Sequence, residues 1–570
     1  MSSIKNALFI VLFTSLFLAG YGQNQGLRSP VDFPMHLSGN FGELRGGHFH
    51  SGIDIKTYGV KGKKIYAIAD GYISRIKIST GGYGKALYVH HPDEGITSVF
   101  GHLKSFSKSI EEYILKKQYA QKTFEIQLFP EPDQFPVKKG DLIAFSGNSG
   151  SSQGPHIHFE IRNLSDQHPL NPLNYGFQVK DDIPPKIFNL AIYRHNKHGT
   201  PQKKGLLETN AISPNVYKLK NNHPIPVQGN YSFGIRAFDF LNGASNWCGL
   251  YDLKLFVDSA VIYHHRMDKF YFQETQYIKN IKDLKEKIKN NLSIQRTYIQ
   301  PNNKLSLYRY VRGKGIISFT DNQTHTLRYQ VRDVHGNEST LSFEVKGDSS
   351  CCSVDTSTTE YLKKMPYQVA NNFSAEEMKV HFPANAFYDT LRFNYNMENS
   401  TQDSFFSNIH HIHNKYTPVH KFFTLSIKSR NIDKQLIKKA FIARIEEEDE
   451  YQYKGGKELN GYITTKTREF GKYAVMIDTL NPTVKLMGNK EELNNKNRIS
   501  FHVEDDLSGI DTFNGFIDGS WVLFEYDPKN NLLTHDFSTH KLEAGKVHEI
   551  ELYVGDKVNN ISTFYMEFER

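Results

Sequence analysis

The segment Gly154-Pro155-His156-Ile157-His158-Phe159-Glu160-Ile161 sets two imidazoles two residues apart in an apolar, strand-like run. Residues two apart on a strand share a face, so His156, His158 and Glu160 line one side while Ile157 and Phe159 turn inward. Two imidazoles on one face suit a metal, or divide between ligand and proton-transfer partner. A second set, His50-Ser51-Gly52-Ile53-Asp54, offers an imidazole and a carboxylate four apart around a glycine that permits a tight bend. Nitrogen and oxygen donors in this mixture suit Zn²⁺.

Spacing alone does not single these residues out. With 25 His among 570 residues, about one His-x-His pair is expected by chance. The chain has three, at His48/His50, His156/His158 and His411/His413. The His-x-x-x-Asp spacing recurs at His264 and Asp268. The rival metal site is the cluster His410, His411, His413 and His420, which has no carboxylate near it in the sequence and reads as a solvated polar face. His90-His91 and His264-His265 receive the same discount.

The elements that must position the first constellation are short strands broken by glycine. They run Lys64 to Ala69, Tyr72 to Ile78, Lys85 to His90, Thr97 to Phe100, Asp141 to Ser146 and His156 to Arg162. Turn chemistry separates them, as in Gly81-Gly82-Tyr83-Gly84 and Gly147-Asn148-Ser149-Gly150. Ser109 to Gln121 departs from this with a helical pattern, opened by Ser107 or Ser109 as a cap.

The linker Lys180-Asp181-Asp182-Ile183-Pro184-Pro185 closes this region. A β-rich unit follows over 183–346, with strands such as Ser232 to Ala237, Tyr251 to Val257 and Thr326 to Val331 and a charged helical interruption near Ile278 to Leu292. A Ser/Thr-rich segment, 347 to 359, precedes a third unit at 360–478. A fourth at 481–570 carries strands at Arg498 to Val503, Trp521 to Tyr526 and Glu549 to Val554. Strands at such spacing suggest immunoglobulin-like β-sandwiches. Asp-rich turns recur at Phe238 to Gly243 and Glu504 to Gly509, which hints at duplicated modules.

Composition sets the frame. Hydrophobic content of 38% builds cores, and a mean hydropathy of −0.53 excludes a polytopic membrane protein. Aromatics at 13%, with 40 Phe and 32 Tyr, favour strands. A net charge of +8 is too small for this length to mark a nucleic-acid binder, and suits diffuse attraction to an acidic matrix such as a cell wall. Three Cys form no disulfide framework, and Cys351-Cys352 read as linker residues. Residues 1–22 hold one cation, Lys5, and an apolar run from Ala7 to Gly20 that is too short to span a bilayer, so they read as a cleaved export signal. No Cys follows the run, so no lipid anchor is expected. The protein is expected in the periplasm or secreted.

The run Arg45 to Ile55, with His50-Ser51-Gly52-Ile53-Asp54 inside it, resembles the His-x-Gly-x-Asp zinc motif of the M23 (LytM/lysostaphin-type) peptidoglycan metallopeptidases. Ala67 to Gly71, Gly82-Tyr83-Gly84, Phe100-Gly101-His102-Leu103, Val137 to Ile143, Gly147 to Gly150 and Gly154 to Glu160 look like that family's landmarks in its order. The resemblance covers about residues 30 to 178 and implies a LytM-type antiparallel β-sheet peptidase domain at 23–178, within an all-β dominated chain of about three further β-sandwich domains. It implies that His50, Asp54 and His158 bind one Zn²⁺ and that His102 and His156 flank it. One of these two would take a proton from water, and the other would hold an oxyanion or protonate the leaving amine. Glu160 is either an acceptor that orients one of the histidines or a strand-end carboxylate in solvent. The segment 107 to 135 is longer than the family's connection and is expected to reshape or cover the cleft. The implied activity is zinc-dependent endopeptidase action on the stem or cross-link peptides of peptidoglycan. The alternatives are a non-catalytic relative that binds the wall or activates an amidase, and an adhesive surface protein. Non-catalytic relatives typically lack ligands, whereas all three positions are kept here. The arrangement also resembles M23 proteins of the Bacteroidetes type, which would imply a directly cross-linked wall and a D,D-endopeptidase.

Overall fold

The structure, a computed structural model, describes residues 26–196, 201–351, 360–447 and 450–570. The expected export signal and Cys352 lie outside the described residues. Among these residues no helix is long and apolar enough to cross a membrane.

The first unit is built from β1 (Leu37–Gly39), β2 (Ile53–Lys56), β3 (Lys64–Tyr66), β4 (Gly71–Ile78), β5 (Ala86–His91), β6 (Ile96–Gly101), β7 (Leu103–Phe106), α1 (Lys108–Gln121), β8 (Ile126–Leu128), β9 (Pro136–Val137), β10 (Leu142–Ser146) and β11 (His156–Asn163). An antiparallel sheet runs in the order β1-β2-β11-β6-β5-β4-β8, and a smaller one in the order β3-β10-β7. Ile53, Ile55, Ile73, Leu87, Val89, Phe100, Ile157 and Phe159 fill the core beneath the main sheet. Alternation in β11 therefore turns its even-numbered residues to the other face.

Register does the positioning. His158 stands opposite Asp54 on β2 and opposite Gly101 on β6, so one pairing places three landmark motifs side by side. Close approach demands glycine at two points. A Cβ on Gly52 would lie 2.2 Å from the Phe159 carbonyl oxygen, and one on Gly84 (φ +63°) would lie 2.4 Å from the Gly150 amide.

The segment 107 to 135 does not cover the cleft. α1 docks on the core through Ile110 and Ile114, β8 and β9 add to the edge of the sheet at β4, and none of these residues lines the cleft. Ser107 holds the N-cap position without a side-chain bond. Glu111 instead reaches back to the Phe106 amide at 2.8 Å. The outer side of α1 meets the fourth unit, where Tyr119 packs edge-on to Trp521 at 5.4 Å.

Among the described residues, the second unit holds twelve strands in one continuous sheet with its own core. Its helical interruption forms α2 (Ile278–Ile281) and α3 (Leu284–Asn290). The third unit contains two five-stranded sheets and a two-stranded one, and the fourth two four-stranded sheets around a shared core. The run Trp521 to Tyr526 is not one strand. Ser520–Val522 joins one sheet and Glu525–Asp527 the other, because Leu523 and Phe524 are buried where the chain crosses between them.

Candidate metal centre

His50, Asp54 and His158 are brought together, with one donor atom from each lying within 4.8 Å of the others. His50 Nε2, His158 Nδ1 and Asp54 Oδ1 are each 3.0 Å from the other two. Backbone and carboxylate partners fix the tautomers. His50 Nδ1 donates to the Asn40 carbonyl at 2.7 Å and His158 Nε2 to Glu160 Oε1 at 2.7 Å. Both rings therefore turn their other nitrogen, the one a neutral ring leaves unprotonated, toward the Asp54 carboxylate. Two imidazole nitrogens and one carboxylate oxygen converging on one point form a donor set that fits Zn²⁺ once both rings are neutral.

Glu160 is fully buried, so the solvent alternative fails. It accepts from Ser51 Oγ at 2.6 Å, from Arg162 Nε at 2.6 Å and from the Tyr83 hydroxyl, as well as from His158. Burial works to raise its pKa, but the Arg162 charge and the His158 hydrogen bond hold it well below the carboxylate range. Asp54 follows the same balance: burial raises it, and His50, His156 and His158 pull it down further than burial lifts it. Without metal, burial lowers His50 to about 4. His158 is raised to about 9, because hydrogen bonds and charge from Asp54 and Glu160 outweigh its burial.

His102 and His156 flank the trio, with ring centroids 4.7 Å apart. His102 sits at φ +58°, just after β6, and that left-handed turn swings its ring into the cleft. Its Nδ1 donates to the Ser149 carbonyl at 2.8 Å, leaving Nε2 free. Burial, then the charges of His158 and His156, lower its pKa to about 3, so the ring is neutral. His156 Nδ1 donates to the Gly154 carbonyl at 2.9 Å and its Nε2 stands 3.5 Å from Asp54 Oδ1.

The sequence reading missed several residues of this site. Arg45 pairs with the outer oxygen of Asp54 and lies 3.5 Å from Glu43. Arg162 follows Glu160 on the same strand face, so period-two reading reaches it. Asn40 and the second unit's contribution had no signal. The cleft, about 1110 Å³, is walled on one side by Phe272, Thr275, Lys282 and Lys287 of the second unit. Lys282 Nζ donates to the Arg45 carbonyl at 2.9 Å, and the Phe49 amide donates to Thr275 at 3.1 Å.

The rival histidines do not gather. Among the described residues they form no metal-ligating group. His411 pairs with Glu398 at 3.0 Å, across the strand pair rather than near in sequence. His410 is buried against Tyr395, and His420 stacks on Tyr277. His264 pairs with Asp252 at 2.7 Å, while Asp268 takes Tyr251 and Arg309.

Residues 48–120 match the family model of peptidase family M23, and residues 362–478 match that of the Zu5-like domain. The DD-carboxypeptidase/endopeptidase Mpg of Neisseria meningitidis serogroup B (strain ATCC 13091 / M2091) is 30% identical over 155 residues, 27% of this chain and 28% of that relative's length. Among solved structures, the catalytic domain of the prophage-encoded M23 protein EnpA from Enterococcus faecalis is 24% identical, with a TM-score of 0.19, over 25% of this chain and 92% of that one. A zinc containing peptidase from Vibrio cholerae is 22% identical, with a TM-score of 0.19, over 26% of this chain and 39% of that one.

Proposed function

We propose that this chain, which carries a domain of peptidase family M23, is an exported zinc-dependent endopeptidase acting on peptide bonds in the stem or cross-link peptides of peptidoglycan. The observation that carries the reading is the convergence of His50 Nε2, His158 Nδ1 and Asp54 Oδ1 at the floor of an open cleft. These residues would hold one Zn²⁺ per chain. Bound there, it would polarise the scissile carbonyl and bring the pKa of a water toward about 7.

The chain's own groups supply the rest. His102 Nε2 and His156 Nε2 both point into the cleft, so one accepts the water's proton and the other donates to the oxyanion or leaving amine. Glu160 fixes His158 in the tautomer that presents Nδ1, and the Asn40 carbonyl does the same for His50 Nε2. The Arg45 guanidinium occupies the far oxygen of Asp54 and leaves Oδ1 for the metal. Thr275, Lys282 and Lys287 make the cleft a joint product of two units. Peptidoglycan as substrate draws support from the DD-carboxypeptidase/endopeptidase activity for which the Neisseria relative is named, and export from residues 1–22.

The test is digestion of purified peptidoglycan by the mature protein, followed by product masses. Release of cross-link or stem fragments supports an endopeptidase. Loss of only a terminal alanine points to a carboxypeptidase, and no release at any zinc concentration overturns the hydrolase.

A further inference from the structure

Two loops of the first unit, 82–85 and 148–154, carry the flanking histidines. The His102 amide donates to the Tyr83 carbonyl at 2.8 Å, and its ring is held by the Ser149 carbonyl. His156 opens β11, and its ring is held by the Gly154 carbonyl. Ser152 Oγ stands 3.1 Å from the same ring nitrogen and donates to that carbonyl at 2.8 Å. The two loops are laced together. The Ser151 amide donates to the Gly82 carbonyl at 2.9 Å, and the Lys85 amide to Ser149 Oγ at 2.9 Å.

The fourth unit reaches both loops. Its strands Glu525–Asp527 and Leu532–Asp536 pair antiparallel, joined by a turn that opens Asp527-Pro528-Lys529-Asn530. Aspartate, proline and asparagine in this order suit a tight turn. Asp527 accepts from the Lys529 amide at 3.3 Å and from the Asn530 side chain at 2.7 Å, so the turn is held from within. Its base is anchored as well, since Leu523 is buried in the first unit's core cluster. From this frame the Lys529 ammonium donates to the Asn148 carbonyl and, at 3.0 Å, to the Ser152 carbonyl, 377 residues back along the chain. Glu525 accepts from Lys85 Nζ at 2.8 Å. One hairpin thus grips one loop through Lys529 and the other through Glu525.

Asn148 and Ser152 bracket the Ser149 carbonyl that holds His102, and Ser152 with Gly154 holds His156. An ammonium has three donors, and one that ties the two ends of this segment fixes both rings at once. Resting on the hydrolase reading above, we propose that Lys529 is a positioning residue for His102 and His156, so that the fourth unit completes the active site of the first. Lys529 acts through the backbone and does not line the cleft, whereas Gly82, Tyr83, Ser151, Ser152 and Gly154 of the two loops do. Releasing the loops misplaces groups that act in the reaction while leaving the surface that binds substrate in place. Turnover should suffer rather than binding.

The test compares full-length, zinc-loaded Lys529→Met and Lys529→Arg with the wild type on soluble cross-linked muropeptides. Lys529→Met keeps the length of the side chain and removes its donors. Its kcat should fall about three- to tenfold, the size of one net hydrogen bond, with KM and zinc affinity unchanged. Lys529→Arg, which keeps the charge and the donors, should recover most of the loss. Hydrogen exchange of the metal-free proteins gives a second readout. The Ser151 amide should exchange about three- to tenfold faster in Lys529→Met and at the wild-type rate in Lys529→Arg. An unchanged kcat, a loss carried by KM or by zinc affinity, or an equal loss in both variants overturns the positioning role. A wild type that cuts nothing counts against the hydrolase, and exchange alone then decides: an unchanged Ser151 rate in Lys529→Met overturns the clamp.

Discussion

Replacing Glu160 by Gln tests how the site is held, because the change removes one charge and almost no volume. The carboxylate serves two sides at once: His158 Nε2, Ser51 and Tyr83 on Oε1, and Arg162 Nε on Oε2. An amide has one acceptor. If its oxygen faces His158, its NH₂ meets the Arg162 N–H. If it turns round, the His158 Nε2–H faces another donor and the tautomer that presents Nδ1 loses its support. Arg162 is 7% exposed, and breaking a buried pair from one side costs about 3–5 kcal/mol. Loss of the partner that orients a metal-binding imidazole typically weakens metal affinity about 10–100-fold. Urea unfolding of the metal-free protein reads the first quantity, and competition against a chromophoric zinc chelator the second. Adding Arg162→Met to Glu160→Gln should recover most of the stability and, by leaving the amide oxygen free to face His158, part of the affinity. A folded Glu160→Gln protein with unchanged zinc affinity would show that the Glu160 carboxylate does not set the His158 tautomer.

Other expectations follow from the same contacts. His102→Gln and His156→Gln should keep zinc but lose about 10²–10⁴-fold in kcat, the usual worth of a proton-transfer group; zinc loss in either would move that residue into the ligand set. Trp521→Ala removes the ring that α1 meets through Tyr119, worth about 0.5–1.5 kcal/mol beyond area. It should loosen the fourth unit in limited proteolysis and leave zinc content unchanged. Acid should weaken the third unit. Burial lowers His410 to about 4 and His413 to about 4, so between pH 6.5 and 4 the unfolded chain binds more protons, and stability falls as pH falls. For His410 the loss is about 3 kcal/mol at one unit per 1.36 kcal/mol. Unfolding curves across that range should flatten in His410→Gln.

The local pattern carried much of the first unit. Alternation in His156 to Arg162 located the strand and the face that holds His156, His158 and Glu160, and the predicted helix lies at Lys108–Gln121. What that helix docks on was not legible, since Tyr119 reads the same whether it faces solvent, a cleft or the distant Trp521. Arg45 stood in plain sight beside the histidines, yet its pairing with Asp54 depends on a hairpin that no spacing rule encodes. The wall of the cleft from Phe272 to Lys287 comes from contacts more than 200 residues apart in sequence, as between Gln276 and Gly47. The Trp521 to Tyr526 run looked like one strand because a strand crossing between sheets keeps its apolar residues. The recurring Asp turns are visible in the sequence, but which of their buried oxygens find hydrogen-bond donors is not.

The central claim is most directly tested by adding Zn²⁺ in steps to chelator-stripped full-length protein and following release of soluble fragments from purified peptidoglycan. Hydrolysis should rise to a plateau at one equivalent in the wild type, with His158→Ala and Asp54→Asn flat throughout. Hydrolysis at full rate without zinc, or an undiminished rate in His158→Ala, would contradict it.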